Sequence, residues 1–183
     1  MAKCKKLSAL KRRLVILRLT LLPQGKRAQY LKKQNIFYHF GDNVKWGSST
    51  IPAEPYLVSI GNNVRVAANV TFVTHDIISG LFDADLNLDG THKFYMGTIE
   101  IRDNVAIGTN ATILYNTKIG PNAIVAAGSI VTKDVPESAI VGGNPARVIG
   151  DYYNLEKKRN QFAKPDNHAD LDEILKAYWG DEK

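Results

Sequence analysis

The chain has 183 residues, 44% of them hydrophobic and 23% charged, a balance that excludes a disordered polymer and suits one globular domain with an appended segment. A single cysteine, Cys4, excludes an internal disulfide framework. The net charge of +6 is uneven: the first 41 residues carry eleven Lys and Arg and no acid, leaving thirteen bases against eighteen acids in the rest. That asymmetry points to a terminal segment that meets something anionic.

Residues 1–35 form the basic segment. Within residues 1–22, Leu7, Leu10, Leu14, Leu17 and Leu21 recur at spacings of three and four, which predicts a helix with an apolar stripe beside a basic face. The uncharged run from Leu14 to Leu17 is far too short to span a bilayer. Arg18 interrupts the apolar stretch and no small-x-small site follows Leu22, which argues against a cleaved signal peptide. Two readings stand: a helix lying on an anionic membrane, or one packed on an oligomer of this chain. No nucleic-acid-binding module accompanies the charge, so nucleic acid is not an expected partner.

Residues 36–150 carry a repeat. From Ile101 the chain divides into sixes, IRDNVA, IGTNAT, ILYNTK, IGPNAI, VAAGSI and VTKDVP. The first position is always aliphatic (Ile101, Ile107, Ile113, Ile119, Val125, Val131). The fifth is always small or β-branched (Val105, Ala111, Thr117, Ala123, Ser129, Val135). The same units stand at Ile60 and Val66, with weaker forerunners at Phe40 and Trp46. A period of six fits neither the helix, at 3.6, nor the strand, at two. It fits a triangular coil in which each six residues supply one short strand and one corner, and the first position stacks inward on its equivalents. Asn63, Asn69, Asn104, Asn110, Asn116 and Asn122 occupy the fourth position, where a corner demands positive φ. Phe72 and Ile101 are out of phase, so residues 76–98, rich in Gly, Asp and Asn, are expected to leave the coil as an excursion loop.

These residues resemble the hexapeptide-repeat acyltransferases, above all the sugar O-acetyltransferases related to the galactoside, maltose and nodulation-factor enzymes and to those of capsule and exopolysaccharide clusters. The most specific stretch is IGPNAIVAAGSIVTKDVPESAIVGGNPARVIG, residues 119–150; KRAQYLKKQNIFYHFGDNV resembles the helix that precedes the repeats in such enzymes. The resemblance implies a mainly β fold, a left-handed parallel β-helix. It also implies a homotrimer with sites between neighbouring chains, acetyl-CoA as acetyl donor and an essential histidine near the excursion.

That histidine matches His75 in VTFVTHD. A neutral imidazole can take the proton of an attacking hydroxyl and return it to the departing thiolate, with no Ser or Cys nucleophile. By the same resemblance Lys133 and Arg147 match positions near the adenosine phosphates, Ala127 and Thr132 positions bordering pantetheine or adenine, and Thr109 one whose N–H faces pantetheine or an oxyanion. Asp76, His92 and Glu54 are candidate acceptor contacts. The residues themselves favour reading Asp76 and His92 as solvated loop residues, and Glu54 is placed to approach His75 from the coil below. His39 and His168 receive no role, and four scattered histidines with one cysteine make no metal cluster. Relatives carry a tryptophan where this chain has Ala106, which predicts a roomier acceptor pocket.

Residues 151–183 read as two short helices divided at Lys164-Pro165-Asp166. The expected function is transfer of acetyl from acetyl-CoA to a carbohydrate hydroxyl in surface polysaccharide or glycoconjugate assembly. It would take place in the cytoplasm, at the inner face of the membrane if the basic segment binds there. The rival readings are an antibiotic-inactivating acetyltransferase and a non-catalytic trimeric scaffold.

Overall fold

The computed structural model describes residues 4–86, 90–161, 164 and 168–180. Residues up to Tyr152 form one compact unit and those from Tyr153 onward a second.

The hexads become a parallel β-helix. Strands β1 (His39–Phe40), β3 (Val58–Ile60), β6 (Ile99–Ile101) and β9 (Thr117–Ile119) form the first sheet, all in parallel. The second holds β2 (Lys45–Trp46), β4 (Arg65–Val66), β7 (Ala106–Ile107), β10 (Ile124–Val125) and β12 (Ala139–Gly142), closed by antiparallel β13 (Arg147–Asp151). The third holds β5 (Thr71–Val73), β8 (Thr112–Leu114) and β11 (Ile130–Val131). From β3 to β11 the chain visits the three sheets in that order in each coil. Every first-position aliphatic from Ile101 to Val131 is buried, as is every fifth-position residue from Val105 to Val135. Truncating a central one, such as Ile113, to alanine costs about 2–5 kcal/mol through lost burial and the cavity left behind.

The corners obey the sequence. All six fourth-position asparagines adopt φ between 53° and 60°, and Asn43 of the forerunner does so at 52°. Their amides form a ladder between coils: Asn43 Nδ2 donates to Asn63 Oδ1 at 3.0 Å, Asn63 to Asn104 at 2.8 Å and Asn104 to Asn122 at 3.0 Å. The ladder also measures coil length. Asn104 and Asn122 are 18 residues apart, Asn63 and Asn104 are 41 apart, so one coil carries 23 extra residues, the length of the expected excursion. Two residues before the asparagine the backbones come too close for a side chain: a Cβ on Gly61 would sit 2.7 Å from the Arg102 carbonyl carbon.

The excursion is more ordered than its composition predicts. Residues Ile78–Asp85 form helix α3, numbered after α1 (Ala9–Leu21) and α2 (Gln24–Gln34), with the Asp76 carboxylate accepting from the Ile78 N–H at 3.1 Å in place of a helical carbonyl. The Gly/Asp/Asn content concealed an apolar stretch, Ile77 to Phe82, that favours a turn of helix. Residues 87–89 of the expected loop lie outside the described residues.

Helices α1 and α2 cover the first coils. Val15, Leu19, Ala28 and Leu31 join the core with Phe37, Trp46 and Phe72, and Trp46 stacks on Phe72 with ring centroids 5.6 Å apart. The predicted stripe on α1 is not the buried face. Leu10, Leu14, Leu17 and Leu21 are between 55% and 70% exposed, whereas Val15 and Leu19 are buried. The helix has two apolar faces, and periodicity alone does not say which meets the core. Residues 1–3 of the basic segment lie outside the described residues.

In the second unit, α4 (Tyr152–Asn160, starting at the boundary) and α5 (Leu171–Trp179) are the two expected terminal helices. Asp170 caps α5 by accepting from the Asp172 N–H at 2.9 Å. Pro165 and Asp166, the expected break, lie outside the described residues.

Candidate active site

One edge of the prism follows the third sheet. Val73 pairs with Leu114, and Ile113 with Val131. Carrying that register forward sets Thr74, Tyr115 and Lys133 level along one edge in successive coils, spaced by about 4.8 Å per coil, with His75 one residue further on, level with Asn116 and Asp134. The excursion departs from this edge. Its neck is tied by an antiparallel bridge between His75 and Met96, with Gly97 N–H donating to the Thr74 carbonyl at 2.9 Å and Asp76 N–H to the Tyr95 carbonyl at 3.3 Å.

His75 is therefore held by backbone on both sides, with 28% of its side chain exposed and the Phe94 ring 4.9 Å from its own. Its Nδ1 lies 2.8 Å from Glu54 Oε2. The same oxygen accepts from Thr74 Oγ1 at 2.5 Å, and Glu54 N–H donates to Thr74 Oγ1 at 3.4 Å. Burial raises the Glu54 pKa, but the hydrogen bonds from Thr74 and His75 and the charges of His75 and Arg12 outweigh it and hold the carboxyl below its usual range. An ionised carboxylate only accepts, so Nδ1 of His75 carries a proton in this contact, and in the neutral ring that arrangement leaves the lone pair on Nε2. Glu54 thus meets the histidine ring itself, approaching it from the coil below.

Asp76 is half-buried rather than solvated. Its Oδ2 accepts from Tyr115 Oη at 2.9 Å, and this hydrogen bond is the main reason the Tyr115 phenol is raised above its ordinary pKa. Tyr95 stands edge-on to Tyr115 and accepts from the Asn116 amide at 2.8 Å. His92 is held inside the excursion: Asp83 Oδ1 accepts from its backbone N–H at 3.0 Å and lies 2.7 Å from its Nδ1. Those bonds, the backbone one foremost, lower the Asp83 pKa. Thr74, Phe94, Tyr115 and Arg12 escaped the sequence reading. Thr74 alone had a signal there, as the hydroxyl preceding His75.

The five candidate cofactor contacts fall into two groups. Thr132, Lys133 and Arg147 line one cleft, with Val131, Ala146 and Val148, and all three are exposed. The Asp134 carboxylate lies in the same cleft, and the two cations and the hydroxyl beside it suit a phosphorylated ligand. Thr109 and Ala127 occupy the preceding edge, between the second and third sheets, where Gly128 N–H donates to the Thr109 carbonyl at 2.8 Å. Ala106 lies in the second sheet between Arg65 and Ile124, on another face from β5 and His75. Among the described residues, no three His, Cys, Asp or Glu side chains converge on a metal position.

The family model for bacterial transferase hexapeptide (six repeats) matches residues 98–133. Protein CapG of Staphylococcus aureus is 43% identical over 111 residues, 60% of this chain and 62% of that protein. Galactoside O-acetyltransferase of Escherichia coli (strain K12) is 33% identical over 129 residues, 67% of this chain and 61% of that protein. The chain thus spans about three-fifths of the length of these relatives. A solved galactoside acetyltransferase in complex with coenzyme A superposes with a TM-score of 0.60 at 25% identity, covering 81% of this chain and 82% of that one. The shared fold is the left-handed β-helix.

Proposed function

We propose that the chain is a hexapeptide-repeat O-acetyltransferase that moves acetyl from acetyl-CoA to a carbohydrate hydroxyl, with His75 as general base. The observation that carries this reading is the 2.8 Å contact between His75 Nδ1 and a Glu54 carboxylate held ionised, on the same prism edge as the Lys133 coil. The thioester supplies an activated acyl carbon. His75 Nε2 accepts the hydroxyl proton as the acceptor oxygen bonds to that carbon. The carbon–sulfur bond breaks, and the same nitrogen returns the proton to the thiolate. Glu54 keeps the ring in the tautomer this requires and offsets the transient imidazolium charge. Lys133 and Arg147 hold the phosphates of the donor, with Thr132 beside them, and Thr109 and Ala127 border its pantetheine arm.

The split of these residues over two edges supports a homotrimer, because a site that uses both edges takes one from each of two neighbouring chains. Ala106 then faces the acceptor across that interface and leaves it room for a bulky glycan. The excursion, which carries exposed Phe82, Phe94, Tyr95 and Met96, forms the remaining wall. Surface polysaccharide or glycoconjugate assembly in the cytoplasm fits such an acceptor.

The exposed Leu10, Leu14, Leu17 and Leu21 form a ridge along α1, and Lys11, Arg13 and Arg18 lie on its exposed flanks. No described helix is long and apolar enough to cross a membrane. A ridge of this kind lies in the interface of an anionic bilayer, with leucines among the acyl chains and cations at the headgroups. The test of the activity is release of free thiol from acetyl-CoA over a panel of sugar and glycan acceptors. Acceptor-dependent release that disappears in His75→Ala supports the enzyme; no binding of CoA would leave only a scaffold.

A further inference from the structure

We infer that Arg12 of helix α1 is a positioning residue for the His75–Glu54 pair, an assignment that rests on the proposed base role of His75. Arg12 stands on the inward face of α1, three and seven residues before the buried Val15 and Leu19. Its Nη1 donates to the carbonyls of Pro52 at 2.5 Å and Ala53 at 3.0 Å, and its Nη2 to that of Ile51 at 2.9 Å. One guanidinium thus holds three consecutive carbonyls, and the next residue in the chain is Glu54.

This segment needs an outside anchor. Pro52 and Pro55 have no N–H to give, and residues 51–54 belong to no strand. Among the described residues, the backbone N–H of Glu54 makes only the 3.4 Å contact to Thr74 Oγ1. The positive charge of Arg12 also acts on the Glu54 carboxylate in the direction that keeps it ionised. A lysine has a single point of charge and no planar fork, so it cannot hold three carbonyls in that geometry. The carboxylate that selects the tautomer of His75 therefore depends on a side chain some forty residues earlier, in the basic segment outside the repeats.

The experiment is an ¹⁵N spectrum of the His75 imidazole in the full chain at about pH 8, where a free imidazole is neutral. Wild-type protein is expected to show protonated Nδ1 and unprotonated Nε2. Arg12→Ala is expected to shift both resonances toward a mixture of tautomers, as Glu54→Gln does. Arg12→Lys, the variant to read if Arg12→Ala does not fold, is expected to fall between. Wild-type nitrogen shifts in a folded Arg12→Ala or Arg12→Lys protein would overturn the inference. His75→Ala that keeps turnover would instead sink the base reading and leave the nitrogen shifts as they are.

Discussion

The prism edge and the excursion each contain a histidine bonded through Nδ1 to a carboxylate, and they differ in how the pair is built. His75 and Glu54 are 21 residues apart, brought together by the coil, and their carboxylate oxygen is shared with Thr74 while the backbone before it is anchored by Arg12. His92 and Asp83 are nine residues apart and are joined inside one local turn of chain, next to a segment that begins and ends at the prism edge. Both carboxyls are held below their usual pKa range. Identical chemistry thus sits on a rigid scaffold in one region and on a self-contained loop in the other. A catalytic base requires the first, since its lone pair must be held within a fraction of an ångström of a bound hydroxyl.

The comparison breaks or holds on paired substitutions. The largest effect expected is for His75→Ala, a fall of about 10²–10⁴-fold in kcat/KM with acetyl-CoA and the best acceptor of the panel, whereas His92→Ala stays within a few-fold. Equal losses in both would erase the distinction. Next comes Glu54→Gln, with a fall of about 10²-fold or more, because an amide can donate to Nδ1 and then favours the wrong tautomer. Asp83→Asn, treated the same way, is expected to change turnover little. Double substitution of Leu14 and Leu17 by Glu should abolish co-flotation with vesicles of phosphatidylserine and phosphatidylcholine while leaving turnover on a soluble sugar intact.

The smallest effect is on acid stability. A carboxyl whose pKa is lowered by folding stabilises the protein above its ordinary value, and that stabilisation is lost as pH falls through the lowered one. The stability gap between wild type and Glu54→Gln in urea titrations should therefore be open at neutral pH and close under acid. A gap that widens under acid would contradict an ionised Glu54.

Much of the fold was written in the spacing of residues. Ile101 to Val131 announce a column in steps of six, the asparagines announce corners with positive φ, and the phase slip between Phe72 and Ile101 announces an insertion whose length the coil register reproduces. His75 stood out through the family resemblance of VTFVTHD together with its place where that phase breaks. Its partners were less so: Glu54 was within sight as a neighbour from the coil below, but Arg12 carried no signal, since a basic residue in a basic helix looks like every other. Which face of α1 is buried was not legible either. Leucines at spacings of three and four mark an apolar face whether or not the core lies against it.

What the sequence determined by itself is local and periodic. A six-residue repeat of aliphatic, small and turn residues has one low-energy way to bury its apolar positions, which is to coil and stack. The tertiary structure alone decided which residues from different coils share an edge. The meeting of Arg12, Glu54, Thr74 and His75 depends on how far each coil rises and where the excursion begins. It depends equally on which face of α1 settles on the core. Those are properties of the packed whole, set by contacts between residues tens of positions apart.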